Sequence, residues 1–253
     1  MKKKKIFQII IVCLFWLLVW QGISIWMNNN ILMVGPIETL QCLAWLLPQK
    51  AFWQTILQSL LRIGAGLLVG ALLGSLSAFI SYKWNWHRIL FHPLITAMKA
   101  VPVASFVIIL LIWFGSENVA MLISFLVVYP ILYINVLTGL DTMDPSLIEM
   151  ARVFRMRIGT RIRTVYLPGL RAVLLSGFSL AVGMGIKSGV AAEVIGQAKL
   201  TMGNSLYRAK INLETGDLIA WTFVIVILSW LLEKGIRLII KLIYKQMGVI
   251  SKK

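Results

Sequence analysis

The chain has 253 residues, of which 59% are hydrophobic and only 13% are charged, and its formal net charge is +16. Because a soluble domain carries about a quarter charged residues, this composition excludes an ordinary soluble globular protein. The apolar residues fall in runs of roughly 20, the length of a helix that crosses a hydrocarbon core about 30 Å thick. Lipid cannot satisfy backbone N–H and C=O groups, so the sequence predicts an all-α integral membrane protein.

Six apolar runs predict six transmembrane helices within a single domain over residues 1–253. In chain order they are Ile6–Met27, Leu60–Ser81, Leu94–Phe114, Val119–Leu140, Leu170–Lys187 and Leu218–Leu232. The first run is long and lacks a small-residue cleavage site before Asn28, so we interpret 6–27 as a retained first helix rather than a signal peptide. The core of the domain then covers residues 60–232.

The distribution of Lys and Arg predicts the orientation of these spans. With the N-terminus inside, 19 of the 25 Lys and Arg residues lie on the cytoplasmic side, most of them at the two ends and in the loop 141–168. The sequence therefore predicts a multi-pass protein with both termini in the cytoplasm. Cations placed in this way contact membrane lipid, and they argue against nucleic acid as a partner.

Two of the predicted spans carry a small residue at every fourth position. These residues are Gly66, Gly70 and Gly74 in the second span and Gly177, Ala181, Gly185 and Gly189 in the fifth. Small residues permit helix backbones to approach closely in lipid. The two stripes fit either a helix interface that moves during function or ordinary packing of the bundle.

Polar residues inside the spans are candidates for contact with a transported solute, because they are costly in lipid. Asn135 lies in the fourth span and Lys187 ends the fifth, although Lys187 could also snorkel to the interface. No span holds the repeated Asp or Glu expected of a proton- or sodium-coupled pump. His87 and His92, like the two cysteines, lack the spacing of a metal or redox site, so no metal site is predicted.

The segment 141–168 lies between the fourth and fifth spans, on the predicted cytoplasmic side. Asp144 followed by Pro145 predicts a helix start, because it supplies an N-cap acceptor and then a residue whose φ is already helical. Glu149 and Arg152 are three residues apart on this helix and so lie side by side.

The second half of this segment predicts a return helix. Gly159 permits a break, after which a second short helix runs to Val165 and ends at Leu167-Pro168. We therefore expect a helical hairpin with Ala151 at its crown. The simpler alternative is a basic juxtamembrane loop that binds anionic lipid.

Glu149-Met150-Ala151, with Leu167-Pro168 at the far end of the loop, resembles the EAA loop of type I ABC importer permeases. Further motifs in the same chain order resemble the nitrate, sulfonate and taurine group of these permeases: Pro36, Ser59–Arg62, Gly66, Pro102, Trp113-Phe114-Gly115 and Ala191-Ala192-Glu193-Val194-Ile195-Gly196. The resemblance covers residues 34–233. It implies the type I permease fold, with six transmembrane helices and a cytoplasmic coupling-helix loop between helices 4 and 5.

The resemblance implies that this loop docks into a groove of an ATPase subunit. The residues that it implicates are Glu149, Ala151, Arg152, Arg155, Gly159, Leu167 and Pro168. Two positions depart from the family: Met150 stands where Ala is usual, and Arg155 stands where Gly is usual. Glycine adopts a left-handed turn without steric cost, and Arg does not. Either the hairpin bends at Gly159 instead, or the first helix is longer.

The resemblance also implies partners and an energy source. Two copies of the permease, as a homodimer, would form the pathway in a bacterial inner membrane, with Asn135, Lys187 and Glu193 as candidate pathway residues. An extracytoplasmic binding protein would deliver the solute, a small anion such as a sulfonate or nitrate. The chain has no P-loop pattern, so it is predicted not to be an enzyme and to bind no cofactor itself. ATP and Mg²⁺ would be bound by the cytoplasmic ATPase.

Two alternatives stay open. A vitamin-type importer scaffold would couple to its ATPases through two Ala-Arg motifs on long helices, whereas Ala151-Arg152 stands alone in its loop. A secondary carrier or a membrane enzyme would need ion-binding or catalytic residues at membrane depth.

Overall fold

The computed structural model describes residues 2–29 and 31–246, and these residues form helices without a β-strand. In chain order the helices are α1 (Lys2–Met27), α2 (Pro36–Leu46), α3 (Lys50–Lys83), α4 (Asn85–Ala100), α5 (Val103–Phe114), α6 (Ser116–Asp141), α7 (Pro145–Val153), α8 (Ile158–Arg161), α9 (Leu167–Gly196), α10 (Met202–Ile211) and α11 (Thr215–Gln246). The all-helical prediction is confirmed for this part of the chain. The C-terminus and its Lys252 and Lys253, which enter the orientation prediction, lie outside the described residues.

Within the described residues, four helices are long and apolar enough to cross a membrane: Ile6–Met27, Lys50–Lys83, Ser116–Asp141 and Ile158–Gly196. A fifth span results if α4 and α5, which are bent by 103° relative to each other, count as one. The sixth predicted span falls within α11, which is not among these helices. The protein is thus a multi-pass membrane protein, and the number six stays a prediction.

The third predicted span, Leu94–Phe114, is not a single straight helix. α4 ends at Ala100, and Val101 takes an extended conformation with φ −75° and ψ 130° before α5 begins. The cause is Pro102, because a proline ring disfavours the helical conformation of the residue before it. The chain thus breaks immediately before Pro102, and α4 runs nearly at right angles to α5.

The fifth predicted span is longer than the apolar run that defined it. α9 continues past Lys187 to Gly196 and ends where Gln197 adopts a left-handed φ of 51°. Residues 188–196, which follow the predicted end of the span at Lys187, are therefore helical as well. The extension is stabilised by packing, because Ala192 and Glu193 are fully buried against neighbouring helices.

The glycines of α3 form the tightest contact in the bundle. Gly66 lies against the Met121 carbonyl group of α6, and Gly74 lies against the Tyr129 carbonyl group eight residues further along α6. A Cβ atom added at Gly74 would stand 2.6 Å from the Tyr129 oxygen. Side chains are thus excluded here, and the two helix backbones touch directly.

The small residues of α9 pack against the same pair of helices. The Ser124 hydroxyl of α6 donates a hydrogen bond of 3.1 Å to the Gly185 carbonyl oxygen. A Cβ atom at Gly189 would stand 2.6 Å from the Ser124 Oγ and 2.8 Å from Ile63 of α3. α3, α6 and α9 therefore form a three-helix core, and both stripes serve close packing within one chain.

Candidate functional site

The loop between α6 and α9 begins as the sequence predicts. The N–H of Ser146 donates a 2.9 Å hydrogen bond to the Asp144 carboxylate, and Pro145 occupies the first helical position of α7. Donation from the Ser146 N–H lowers the pKa of Asp144 below its usual value. The carboxylate therefore stays ionised and caps α7 at neutral pH.

The hairpin bends at Arg155. α7 ends at Val153, and Arg155 takes a left-handed φ of 47°. The Arg155 N–H donates to the Arg152 carbonyl oxygen at 3.0 Å, and the Met156 N–H donates to the Ala151 carbonyl oxygen at 3.1 Å. This pair of bonds is the Schellman motif, which ordinarily has glycine at the left-handed position.

Both expectations about this bend are therefore wrong. Gly159 does not form the turn, because it lies inside α8, and α7 is not extended past Val153. The hydrogen bonds of the motif hold the backbone in a left-handed turn although the residue is an arginine. The Arg155 side chain is exposed, so the turn places one more cation on the surface of the loop.

Substitutions at Arg155 are expected to change the stability of the loop according to their tolerance of a left-handed φ. Arg155→Gly relieves the backbone strain, whereas Arg155→Val places a β-branched residue where it is an outlier. We expect the valine variant to lose about 1–2 kcal/mol relative to the glycine variant. Hydrogen exchange of the α7 amides measures the difference, and equal exchange in the two variants would contradict the bend at this residue.

Ala151 is not at the crown of the hairpin. Its side chain is 1% exposed and belongs to a buried cluster with Leu140, Met143, Val165 and Leu170. α7 lies flat on the chain that follows it, and a larger side chain at this position would force the two segments apart. The small side chain of Ala151 thus allows the loop to pack against the rest of its own chain.

The outward side of the loop is apolar. Val153 is 78% exposed, Phe154 is 70% exposed and Ile158 is 79% exposed, and Leu147 and Met150 of α7 are exposed beside them. We call these five residues the exposed apolar surface. Their residue types can be read from the sequence, but only the structure shows which apolar residues of the loop are exposed.

The charged residues of the motif surround this surface. Glu149, Arg152, Arg155 and Arg157 are all exposed. Glu149 and Arg152, expected to lie side by side, form no ion pair within the part of the chain that the structure describes. Their side chains are therefore available to a partner.

Leu167-Pro168 does not end a helix, contrary to the prediction. The chain is helical from Ile158 to Gly196, with a π-helical segment over Ile162–Tyr166 immediately before Leu167. A proline inside an α-helix lacks one donor and clashes with the carbonyl group four residues earlier. The wider π turn accommodates it. The Tyr244 hydroxyl of α11 donates to the Leu167 carbonyl oxygen at 2.8 Å and ties this junction to the bundle.

The three candidate pathway residues lie in different places. Asn135 donates its side-chain N–H to the Ile131 carbonyl oxygen of its own helix at 2.7 Å, and it packs against Gly177. Lys187 is exposed on α9. Glu193 is fully buried. The structure thus brings none of the three together.

Lys187 lines a polar groove between α9 and α11. The Arg237 guanidinium donates to the Ser179 hydroxyl at 2.5 Å and to the Glu233 carboxylate at 2.6 Å, and the groove has a volume of about 340 Å³. Ser179 lies in the middle of the predicted span Leu170–Lys187, whereas Glu233 and Arg237 follow the predicted end of the sixth span at Leu232.

Glu193 joins three helices. One of its carboxylate oxygens accepts from the Ser59 hydroxyl of α3 at 2.8 Å and from the Gly203 N–H of α10 at 3.0 Å. The Ser59 oxygen in turn accepts from the Met202 N–H at 2.8 Å, and the Thr201 hydroxyl accepts from the Asn204 N–H at 3.2 Å. The first three amides of α10 are thus all capped by side chains.

Comparison with known proteins identifies relatives. Residues 66–248 match the family described as binding-protein-dependent transport system inner membrane component. A protein of Bacillus subtilis (strain 168), named as an aliphatic sulfonates transport permease, is 26% identical over 72% of this chain and 66% of its own length. The taurine transport system permease protein of Escherichia coli (strain K12) is 27% identical over 73% of this chain and 67% of its own length.

A third relative is named for a different solute. The bicarbonate transport system permease protein of Synechococcus elongatus is 26% identical over 74% of this chain and 68% of its own length. The chain thus spans about two thirds of the length of these three relatives.

Proposed function

Since the chain belongs to the family of binding-protein-dependent transport system inner membrane components, we propose that it is the permease subunit of an ATP-driven importer, with a cytoplasmic ATPase docked on its loop 141–168. The family consists of transport permeases rather than enzymes. In this proposal the bent pair α4–α5 supplies the third span, with α5 crossing the membrane and α4 turned towards the interface. α11 supplies the sixth span, which gives six spans, a cytoplasmic loop between the fourth and fifth, and both termini inside. The relatives favour this function over a vitamin-type scaffold or a secondary carrier.

The exposed apolar surface is the observation that carries the proposal. Large apolar side chains that are 70% exposed or more outside the spans mark a protein interface or a membrane contact. A rim of Arg152, Arg155 and Arg157 around an apolar centre is typical of a protein–protein interface. The chain contains no P-loop, so an ATPase must be supplied by another subunit.

The contact is made by the outward face of α7 and the turn after it, with Phe154 as the central anchor. Glu149 and the arginines set the orientation on the partner through charge complementarity. Ala151, Leu167 and Pro168 act indirectly, because they seat α7 on the helix that leads into α9. Ala151 thus positions the docking surface and does not itself contact the ATPase.

Phe154→Glu is the test of this docking surface. We expect at least tenfold less P-loop ATPase to co-purify with the tagged full chain in detergent, since a tenfold loss corresponds to about 1.4 kcal/mol of binding free energy. Thr160→Glu is the matched control, because it adds the same charge to the same loop at an exposed position outside the apolar surface. Mass spectrometry with mild crosslinking quantifies the ATPase.

Recovery of no ATPase with the parent chain would contradict the permease function. Equal recovery with the parent chain and Phe154→Glu would contradict the docking surface alone. Binding of the loop to anionic vesicles that is lost in Phe154→Glu, without any ATPase, would favour the lipid-binding alternative.

The polar groove of α9 and α11 is proposed to line the solute pathway between two identical copies of the chain. Lys187 has no carboxylate within ion-pair distance among the described residues, and Arg237 shares Glu233. The groove therefore has an excess of positive charge and favours small anions, which fits the solutes in the relatives' names. A binding protein of the same system that retained a neutral or cationic solute would contradict this assignment. Asn135 and Glu193 are assigned to packing.

A further inference from the structure

A second polar cavity lies where α4 crosses the C-terminal end of α6. It has a volume of about 230 Å³ and is lined from α4 by Arg88, His92 and Lys99 and from α6 by Thr138 and Asp141. Asp141 is the last residue of α6, so the cavity opens at the level where that helix leaves the membrane. Asp141 is also the first residue of the loop 141–168, but no residue of the exposed apolar surface or of the α9–α11 groove lines the cavity.

The cavity has an excess of positive charge. α4 contains no acidic residue. Arg88 forms an ion pair of 3.0 Å with Asp141, whereas Lys99 has no carboxylate within 4.0 Å among the described residues. Arg88, His92 and Lys99 are all exposed. One unpaired ammonium group, with a guanidinium group and a histidine on the same helix, suits a singly charged phosphate group.

Four other exposed side chains of α4 are large and apolar. Trp86 is 84% exposed, Leu90 is 70% exposed, and Ile89 and Leu94 are 59% and 50% exposed. An apolar face with Trp beside a basic face is typical of a helix that lies at the membrane interface. Because α4 is bent by 103° relative to α5, α4 can lie along the membrane surface while α5 crosses the membrane.

The positive charge of the cavity and the apolar face of α4 together define the ligand. A free inorganic anion would use only the charges, whereas a phospholipid would place its headgroup in the cavity and its acyl chains along Trp86 and Leu90. We propose that this cavity is a binding site for an anionic phospholipid, with Lys99, His92 and Arg88 holding its phosphate group. The site goes beyond solute transport, and it ties the bent pair α4–α5 to the inner leaflet.

Native mass spectrometry of the purified full chain in detergent tests the site. The probes are phosphatidylglycerol and phosphatidylcholine with identical acyl chains. For the parent chain we expect the first phosphatidylglycerol to bind about fivefold more tightly, because one unpaired cation near a membrane surface contributes a factor of about five. The double variant His92→Gln/Lys99→Gln is expected to lose that preference. Both residues are exposed, so the fold is retained, and circular dichroism checks this.

Lys245→Gln is the matched control, since Lys245 is an exposed lysine at the cytoplasmic end of α11. It is expected to keep the full preference for phosphatidylglycerol. A double variant that retains the preference, or a control that loses it to the same extent, would overturn the site in favour of diffuse surface charge. Displacement of phosphatidylglycerol by millimolar inorganic phosphate would also overturn it, because the cavity would then recognise a free oxyanion.

Discussion

Gly66→Ala is expected to destabilise the protein more than a single methyl group ordinarily does. The new Cβ would overlap the Met121 carbonyl oxygen and stand 2.9 Å from the Ser124 Cβ, so α3 and α6 would have to separate. Backbone atoms cannot move aside as a flexible side chain can. We expect a loss of about 3 kcal/mol, the upper end for overpacking of a core. For a chain of this length, that loss lowers the midpoint of thermal unfolding by about 6–12 °C.

Gly64→Ala, two residues earlier on α3, is the matched control. No heavy atom lies within 4 Å of a Cβ placed at Gly64. In a helix interior alanine is favoured over glycine by up to about 1 kcal/mol, so this variant is expected to be neutral or stabilised. Thermal unfolding in detergent, followed by size-exclusion chromatography, compares the two. Similar midpoints for Gly66→Ala and the parent chain would show that α3 and α6 are not in backbone contact.

Glu193→Ala is expected to release the N-terminus of α10 and to cost about 3 kcal/mol. The substitution leaves the Gly203 N–H and the Ser59 hydroxyl without their acceptor, and an unsatisfied buried polar group costs about 1–3 kcal/mol. Hydrogen exchange of the α10 amides from Met202 to Ile211 is expected to accelerate by about a hundredfold, the equivalent of 3 kcal/mol.

Two further variants separate the hydrogen bonds from the loss of volume. Glu193→Gln keeps an acceptor oxygen of the same reach and is expected to lose less stability than Glu193→Ala. Ser59→Ala removes the acceptor of the Met202 N–H. Because Ser59 and Glu193 belong to one network, the double variant should lose less than the sum of the single variants. Additive losses, or unchanged exchange of α10, would contradict this cap.

Local sequence signals predicted a good part of the structure. Apolar runs located the long helices, because their length is set by the membrane rather than by tertiary contacts. Asp144-Pro145 located the start of α7, because a cap and a proline act through their own backbone. The glycine stripe of α3 predicted close packing, although not the partner helix. These features depend on residues that are near one another in the chain.

The remaining features depend on contacts that a sequence does not show. Arg155 occupies a left-handed turn because two hydrogen bonds of the Schellman motif hold it there, against the preference of its side chain. The burial of Ala151 depends on Val165 and Leu170 beneath it. α9 extends to Gly196 because Glu193 binds Ser59, a residue of the distant α3. From residue type alone, one would predict another turn residue, an exposed Ala151 and an earlier end of α9.

The unbroken helical stretch from Ile158 to Gly196 has a mechanical consequence. Its 39 residues extend about 58 Å at α-helical rise. Ile158, at one end, belongs to the exposed apolar surface, and Glu193, near the other end, holds α10. A rod of this length that tilts by about 10° about its middle moves each tip by about 5 Å in opposite directions. Force applied at the Ile158 tip thus arrives at α10 as displacement, and the π turn marks where that rod departs from α-helical geometry.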